Sequence, residues 1–187
     1  MKSILKNAAI LLLITAVAAV GLSYVYELTK EPIARAEQAA KAAAYQDVYA
    51  EANSFDSVAE EAALLNKYNA TLTGGTRIDE ILQATATDGT HLGYAIATVG
   101  KGYAGDVTIA LGIDRQGKVV GYAVLSHSET PGFGANAENA DVRKQFIGIT
   151  AADQLDGITG ATYTTNALRN ATQAAIDLVK QIEGDAP

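Results

Sequence analysis

The uncharged run from Asn7 to Tyr26 constrains this chain more than any other feature. As a helix it is long enough to cross the ~30 Å hydrocarbon layer of a bilayer. Lys2 and Lys6 precede it, and Tyr24 and Tyr26 stand near its far end. Basic flanks stay on the cytoplasmic side, so the expected orientation is N-terminus in, with everything after Glu27 extracytoplasmic. A cleaved signal peptide is the alternative, because the start is basic and Ala16-Val17-Ala18 has the small-x-small form of a cleavage site. The apolar stretch runs on through Val20, Leu22 and Val25, which favours a retained anchor in the plasma or inner membrane.

The expected organisation is a short cytoplasmic N-terminus (1–6), a transmembrane helix (7–26), a helical stalk and connecting segment (27–72) and one extracytoplasmic domain (73–187). From Glu27 to about Ala52 the chain is Ala-rich with interspersed charges, and Pro32 falls where a new helix would begin. Ser57 to Asn66 suggests another short helix. The character changes at Gly74-Gly75. Four runs with β character follow, Ile81–Thr87, Leu92–Val99, Val107–Ile113 and Val119–Leu125. Asp88-Gly89 and Gln116-Gly117 read as tight turns between neighbours, so the runs should pair antiparallel. Asp141–Ile147 reads as a short helix. From Thr165 to Ile182 the residues Ala167, Leu168, Ala171, Ala174, Ala175, Leu178 and Ile182 keep a 3.6-residue stripe. The expected class is α+β: a transmembrane helix, then an antiparallel sheet with packed helices.

Composition narrows the chemistry. The net charge is -7 and no Lys/Arg cluster is present, which argues against nucleic acid as a partner. There is no cysteine, so disulfides, iron–sulfur ligation, zinc–thiolate sites and c-type haem attachment are excluded. His91 and His127 are the only histidines, too few for a histidine-built metal site. No metal site is expected, and a redox group, if one is used, should be organic.

The segment Asp156-Gly157-Ile158-Thr159-Gly160-Ala161-Thr162 lies just before the last helical stripe. Thr159, Thr162, Thr164 and Thr165 offer clustered hydroxyls, and Gly157 and Gly160 permit close backbone approach. A following helix would point free N–H groups and its positive dipole end at this turn, a natural seat for a phosphate. On these residues alone an ordinary helix start, with Thr164 or Thr165 as N-cap, is the simpler reading. Gly132-x-Gly134-x-x-Ala137 resembles a dinucleotide fingerprint only superficially, because no βαβ setting surrounds it.

The stretch 156–162 resembles the flavinylation motif D-x-x-[ST]-G-A-[ST], and Thr164 matches the hydroxyl residue usual two positions later. Gly102-Tyr103-Ala104-Gly105 is similar to the G-Y-x-G element of the same family. His127-Ser128-Glu129-Thr130-Pro131-Gly132-Phe133-Gly134 resembles its H-x-E-T-P-G-L-G loop, with Phe133 in place of Leu. Leu28-Thr29-Lys30-Glu31-Pro32-Ile33, just beyond the anchor, is also similar. Together these resemble the G subunit of Rnf electron-transport complexes over nearly the full length, with the C subunit of the sodium-pumping NADH:quinone reductase as a related alternative.

The resemblance implies covalent FMN, held as a phosphoester on Thr162 and attached by an ApbE-type flavin transferase that releases AMP from FAD. It implies a cofactor site of Thr162, Asp156, Thr159, Gly160, Ala161, Tyr163, Thr164, Tyr103, Glu129, Thr130, Pro131 and Gly132. No side chain is expected to be catalytic in its own right. The implied role is electron relay within a membrane-bound, ion-translocating ferredoxin:NAD oxidoreductase. The implied partners are the membrane and the other Rnf subunits, including a second flavinylated integral one. On the residues alone, His127 reads as a satisfied polar residue. Tyr103 is either a core aromatic or a flank for the flavin ring, and Tyr163 either covers the ring or simply packs. A cofactor-free membrane-anchored assembly module is the contrasting reading.

Overall fold

A computed structural model describes residues 2–184. The chain divides into two units, one ending at Lys41 and the other beginning at Ala42. Helix α1, Lys2–Val48, is the first element, and every side chain from Lys2 to Ala40 is exposed. Leu11, Leu12, Leu13, Ile14, Val17 and Leu22 would present a long apolar surface to water. By length and composition the helix fits a single membrane span. It does not restart at Glu27. Pro32 lies inside one continuous helix, where it lacks the N–H that would bond the Leu28 carbonyl and its ring crowds that carbonyl.

The second unit holds five strands: β1 Ser54–Ser57, β2 Arg77–Thr85, β3 His91–Lys101, β4 Asp106–Asp114 and β5 Val119–Ser126. They pair antiparallel in the order β1-β2-β3-β4-β5. Three further helices complete it: α2 Glu61–Asn69, α3 Ala140–Phe146 and α4 Thr162–Gly184. Residues 42–72, expected as connecting segment, thus supply β1 and α2 to this unit. Ser57 ends a strand, and α2 begins only after Glu60, which sits in the left-handed region (φ 55°).

The sheet is covered on both faces. On one, Ile96, Ile109, Leu111 and Ile113 meet the stripe of α4, with Leu168, Ala171, Ala175, Ile176, Leu178 and Val179 fully buried. On the other, small residues Ala95, Ala97 and Ala110 receive Tyr45 and Val48 at the end of α1. The approach there is very close. A Cβ at Gly112 or Gly121 would stand 2.2 or 1.9 Å from the Val48 carbonyl oxygen, so only glycine lets the backbone lie on the strands. Beside the α4 face, Tyr122 of β5 stacks on Phe146 of α3 at 3.8 Å between ring centres. The Tyr122 hydroxyl donates to the Ala137 carbonyl at 3.1 Å. This contact fixes the 134–138 turn, which follows the His127–Gly134 loop.

Helix α4 is fastened at both ends. Arg169 donates through Nε and Nη2 to the Leu155 carbonyl. At the other end Glu183 accepts from Tyr94 at 3.0 Å and from Arg115 Nε and Nη2 at 3.0 and 2.9 Å. The Arg115 hydrogen bonds hold the Glu183 carboxyl below its ordinary 4.5. A depressed folded value stabilises the fold above the ordinary range, and that contribution fades as pH falls through the lowered value. The melting-temperature gap between wild type and Arg115→Gln should therefore narrow as pH drops below about 4.5. A gap that stays constant in an acid titration contradicts this.

Candidate functional site

The first intrahelical bond of α4 runs from the Thr165 amide to the Ala161 carbonyl at 2.9 Å. Ala161 therefore occupies the cap position, and Thr162, Tyr163 and Thr164 form the open first turn with its unsatisfied amides. Neither Thr164 nor Thr165 is an N-cap. Thr165 instead closes the preceding loop: its buried hydroxyl accepts from the Ile158 amide at 2.9 Å and donates to the Ala161 carbonyl at 3.0 Å. The turn before the helix needs Gly160, which has φ +76°. A Cβ there would also meet the Phe133 ring at 2.9 Å.

Thr162 is exposed and opens into a cavity of about 460 Å³. That volume lies within the range of small-molecule and cofactor sites. Its wall is formed by Tyr103, Glu129, Thr130, Phe133, Gly134 and residues 160–164. Tyr103 is 74% exposed, Tyr163 66% and Phe133 53%. None of the three is core packing, so Tyr103 and Tyr163 stand as rim aromatics. Their ring centres lie 6.0 Å apart.

Glu129 is the opposite case, only 6% exposed. Its Oε1 accepts from the Ala104 amide at 2.9 Å, and its Oε2 from the Thr164 hydroxyl at 2.5 Å. The space around it is tight: a Cβ at Gly102 would lie 2.5 Å from Oε1, and one at Gly134 would lie 2.2 Å from Oε2. The G-Y-x-G loop is closed on itself by Gly102 N–H to Gly105 carbonyl at 2.8 Å. His127 is a satisfied polar residue: Nδ1 accepts from the Glu129 amide at 3.1 Å, and Nε2 lies 3.0 Å from Glu138. Among the described residues lining the cavity there is one acid and no base.

Eight of the twelve expected site residues thus share one cavity: Tyr103, Glu129, Thr130, Gly160, Ala161, Thr162, Tyr163 and Thr164. Asp156, Thr159, Pro131 and Gly132 do not line it. The Asp156 amide donates to Gln145, and Gly132 offers its carbonyl to Asn136. Phe133 and Gly134 line the cavity without having been singled out as contacts, and Arg169 holds the loop from behind. For Phe133 the signal was present, since it replaces the Leu usual at that place of the loop. Arg169 carried none, because its partner is a backbone carbonyl.

The open turn, the aromatic rim and the close glycine contacts would suit a flat, phosphate-bearing ligand, and comparison with known proteins agrees. Residues 102–177, which contain every residue of the cavity wall, match the FMN-binding domain family. Residues 1–48 match the RnfG N-terminal region. The G subunit of the ion-translocating oxidoreductase complex of Aliivibrio fischeri (strain MJ11) is 30% identical, covering 94% of this chain and 90% of that protein. The chain belongs to the G-subunit family of ion-translocating oxidoreductase complexes. The G subunit of the Na⁺-translocating ferredoxin:NAD⁺ oxidoreductase complex of Acetobacterium woodii is 28% identical over 97% of this chain and 94% of its own length. The corresponding G subunit of Methanosarcina acetivorans is 27% identical, with 98% of each chain covered. Among solved structures, NqrC of Shewanella oneidensis overlaps 72% of this chain and 74% of its own at 15% identity, with a TM-score of 0.46. As a member of the G-subunit family, the chain places its glycine-flanked acid, its aromatic rim and the start of α4 within the FMN-binding domain.

Proposed function

We propose that this chain is an electron-relay subunit of a membrane-bound, ion-translocating ferredoxin:NAD oxidoreductase, carrying FMN as a phosphoester on Thr162. The observation that carries the reading is the placement of Thr162. This residue lies on the open first turn of α4 and lines a cavity rimmed by Tyr103, Phe133 and Tyr163. The residues fit the group: free amides and the helix dipole suit the phosphate, and the exposed aromatic rings suit a flat ring system. Bound FMN supplies one- and two-electron exchange, and the protein tethers it, orients it and sets its potential.

Attachment is a phosphoryl transfer. The Thr162 oxygen attacks the flavin-side phosphorus of FAD, and the bond between that phosphorus and the bridging oxygen breaks. AMP leaves with the bonding electron pair, and the hydroxyl proton passes to solvent. A flavin transferase of the ApbE type performs this step. Glu129 and Thr164 order the pocket, Thr130 closes its side, and Asp156 and Thr159 shape the loop that presents Thr162. The span is retained with its N-terminus inside, so the domain is extracytoplasmic. Partners are the remaining subunits of the complex, a second flavinylated one among them.

The direct test is a peptide map of the full chain co-produced with a flavin transferase. The peptide containing Thr162 should carry the mass of FMN less water, and the denatured band should fluoresce. A bare Thr162 peptide from such protein removes the electron-carrier reading.

A further inference from the structure

Glu129 does more than line the cavity. Its two oxygens reach two separate walls, Oε1 to the Ala104 amide and Oε2 to the Thr164 hydroxyl. Tyr103 sits beside the first contact and Tyr163 beside the second. The rings of these two tyrosines approach each other at 6.0 Å although both are exposed. A single carboxylate thus links the Ala104 backbone amide, next to Tyr103, to the Thr164 side-chain hydroxyl, next to Tyr163. Gly102 and Gly134 leave the room that this carboxylate fills. Each of its oxygens accepts a hydrogen bond, so the bridge needs an acceptor on both sides, which the ionised carboxylate supplies. No basic side chain among the described residues of the cavity offsets it. Glu129 is only 6% exposed, and a buried charge is screened less than one at the surface.

We propose that Glu129 is the positioning residue of the cavity, a bridge that sets the Tyr103 and Tyr163 walls against the bound ring and lowers the ring's reduction potential by its charge. The proposal rests on FMN occupying this cavity. Adding electrons beside a fixed carboxylate is disfavoured, so neutralising it makes reduction easier. Thr164 is the complementary handle: replacing its hydroxyl by a methyl group removes the contact to Oε2 but leaves the charge in place.

The test uses full-length protein in detergent, co-produced with a flavin transferase and compared as wild type, Glu129→Gln and Thr164→Val. Loading is read first, by intact mass. Unloaded wild type sinks the flavin assignment itself, separately from the bridge. In loaded protein, spectroelectrochemistry should show the midpoint potential of Glu129→Gln shifted to more positive values. Thr164→Val should lose intensity in the visible circular dichroism of the flavin, because the ring is less well fixed. A Glu129→Gln potential equal to or below that of wild type overturns the proposal. So does a Glu129→Gln protein that melts like wild type yet stays unloaded, since Glu129 would then belong to the transfer step. If Glu129→Gln does not fold, Thr164→Val decides: weakened dichroism supports the bridge, and an unchanged spectrum overturns it.

Discussion

Thr162→Ala should carry no flavin at all, whereas Thr162→Ser should be loaded. Both substitutions leave the start of α4 intact. The first intrahelical bond is between Thr165 and Ala161 and involves no side chain of residue 162. Thr162 is exposed, so removing its methyl and hydroxyl opens no buried space. Surface changes of this kind stay within about 0.5 kcal/mol. Alanine removes the proposed acceptor oxygen, and serine keeps an oxygen on the same Cβ. Thr159 and Thr164 are the nearby rivals as acceptors. Thr159 is exposed but outside the cavity wall. Thr164 is buried, with its hydroxyl committed to Glu129 at 2.5 Å. Intact mass and in-gel fluorescence of the three proteins decide the point. Residual flavin on Thr162→Ala would move the attachment to another hydroxyl.

Phe146→Ala should produce the largest loss of stability. Phe146 is fully buried and its ring lies 3.8 Å from that of Tyr122, nearly parallel at 16°. Emptying such a site costs about 3–5 kcal/mol from lost transfer energy and the remaining cavity. For a domain of this size the melting temperature should fall by roughly 10 °C or more. Phe146→Leu keeps most of the volume and should lose much less. The effect should also reach the site, because Tyr122 holds the Ala137 carbonyl at 3.1 Å and with it the turn behind Gly134. Calorimetry of the full chain checks the first part. A melting point within about 2 °C of wild type would mean that this ring pair bears little of the fold.

The strands and the last helix were legible in the sequence because each repeats a simple physical rule. Val107–Ile113 and Val119–Leu125 are apolar runs between turn residues, and α4 keeps one apolar stripe. Strand β1 was not legible. Ser54–Ser57 is short and polar, and it pairs on one side only, with β2. Nor could the sequence show that the end of α1 packs on the sheet, since the receiving surface is marked only by small residues such as Gly112 and Gly121. In the site, Thr162 and Glu129 stand out within short motifs. What ties them is long-range: Glu129 reaches Ala104 and Thr164, 25 and 35 residues away. Spacing cannot reveal such a bridge, and it gave no sign that Asp156 would stand outside the cavity wall.

One acid and no base among the described residues of the cavity bear on how FMN would stay in place. A doubly charged phosphate would find amide dipoles there but no counter-charge, and a carboxylate close by would repel it. Reversible affinity for free FMN should therefore be poor. The proposed ester to Thr162 would make retention independent of affinity, so occupancy would record whether a molecule was ever modified and would not follow the surrounding concentration of FMN.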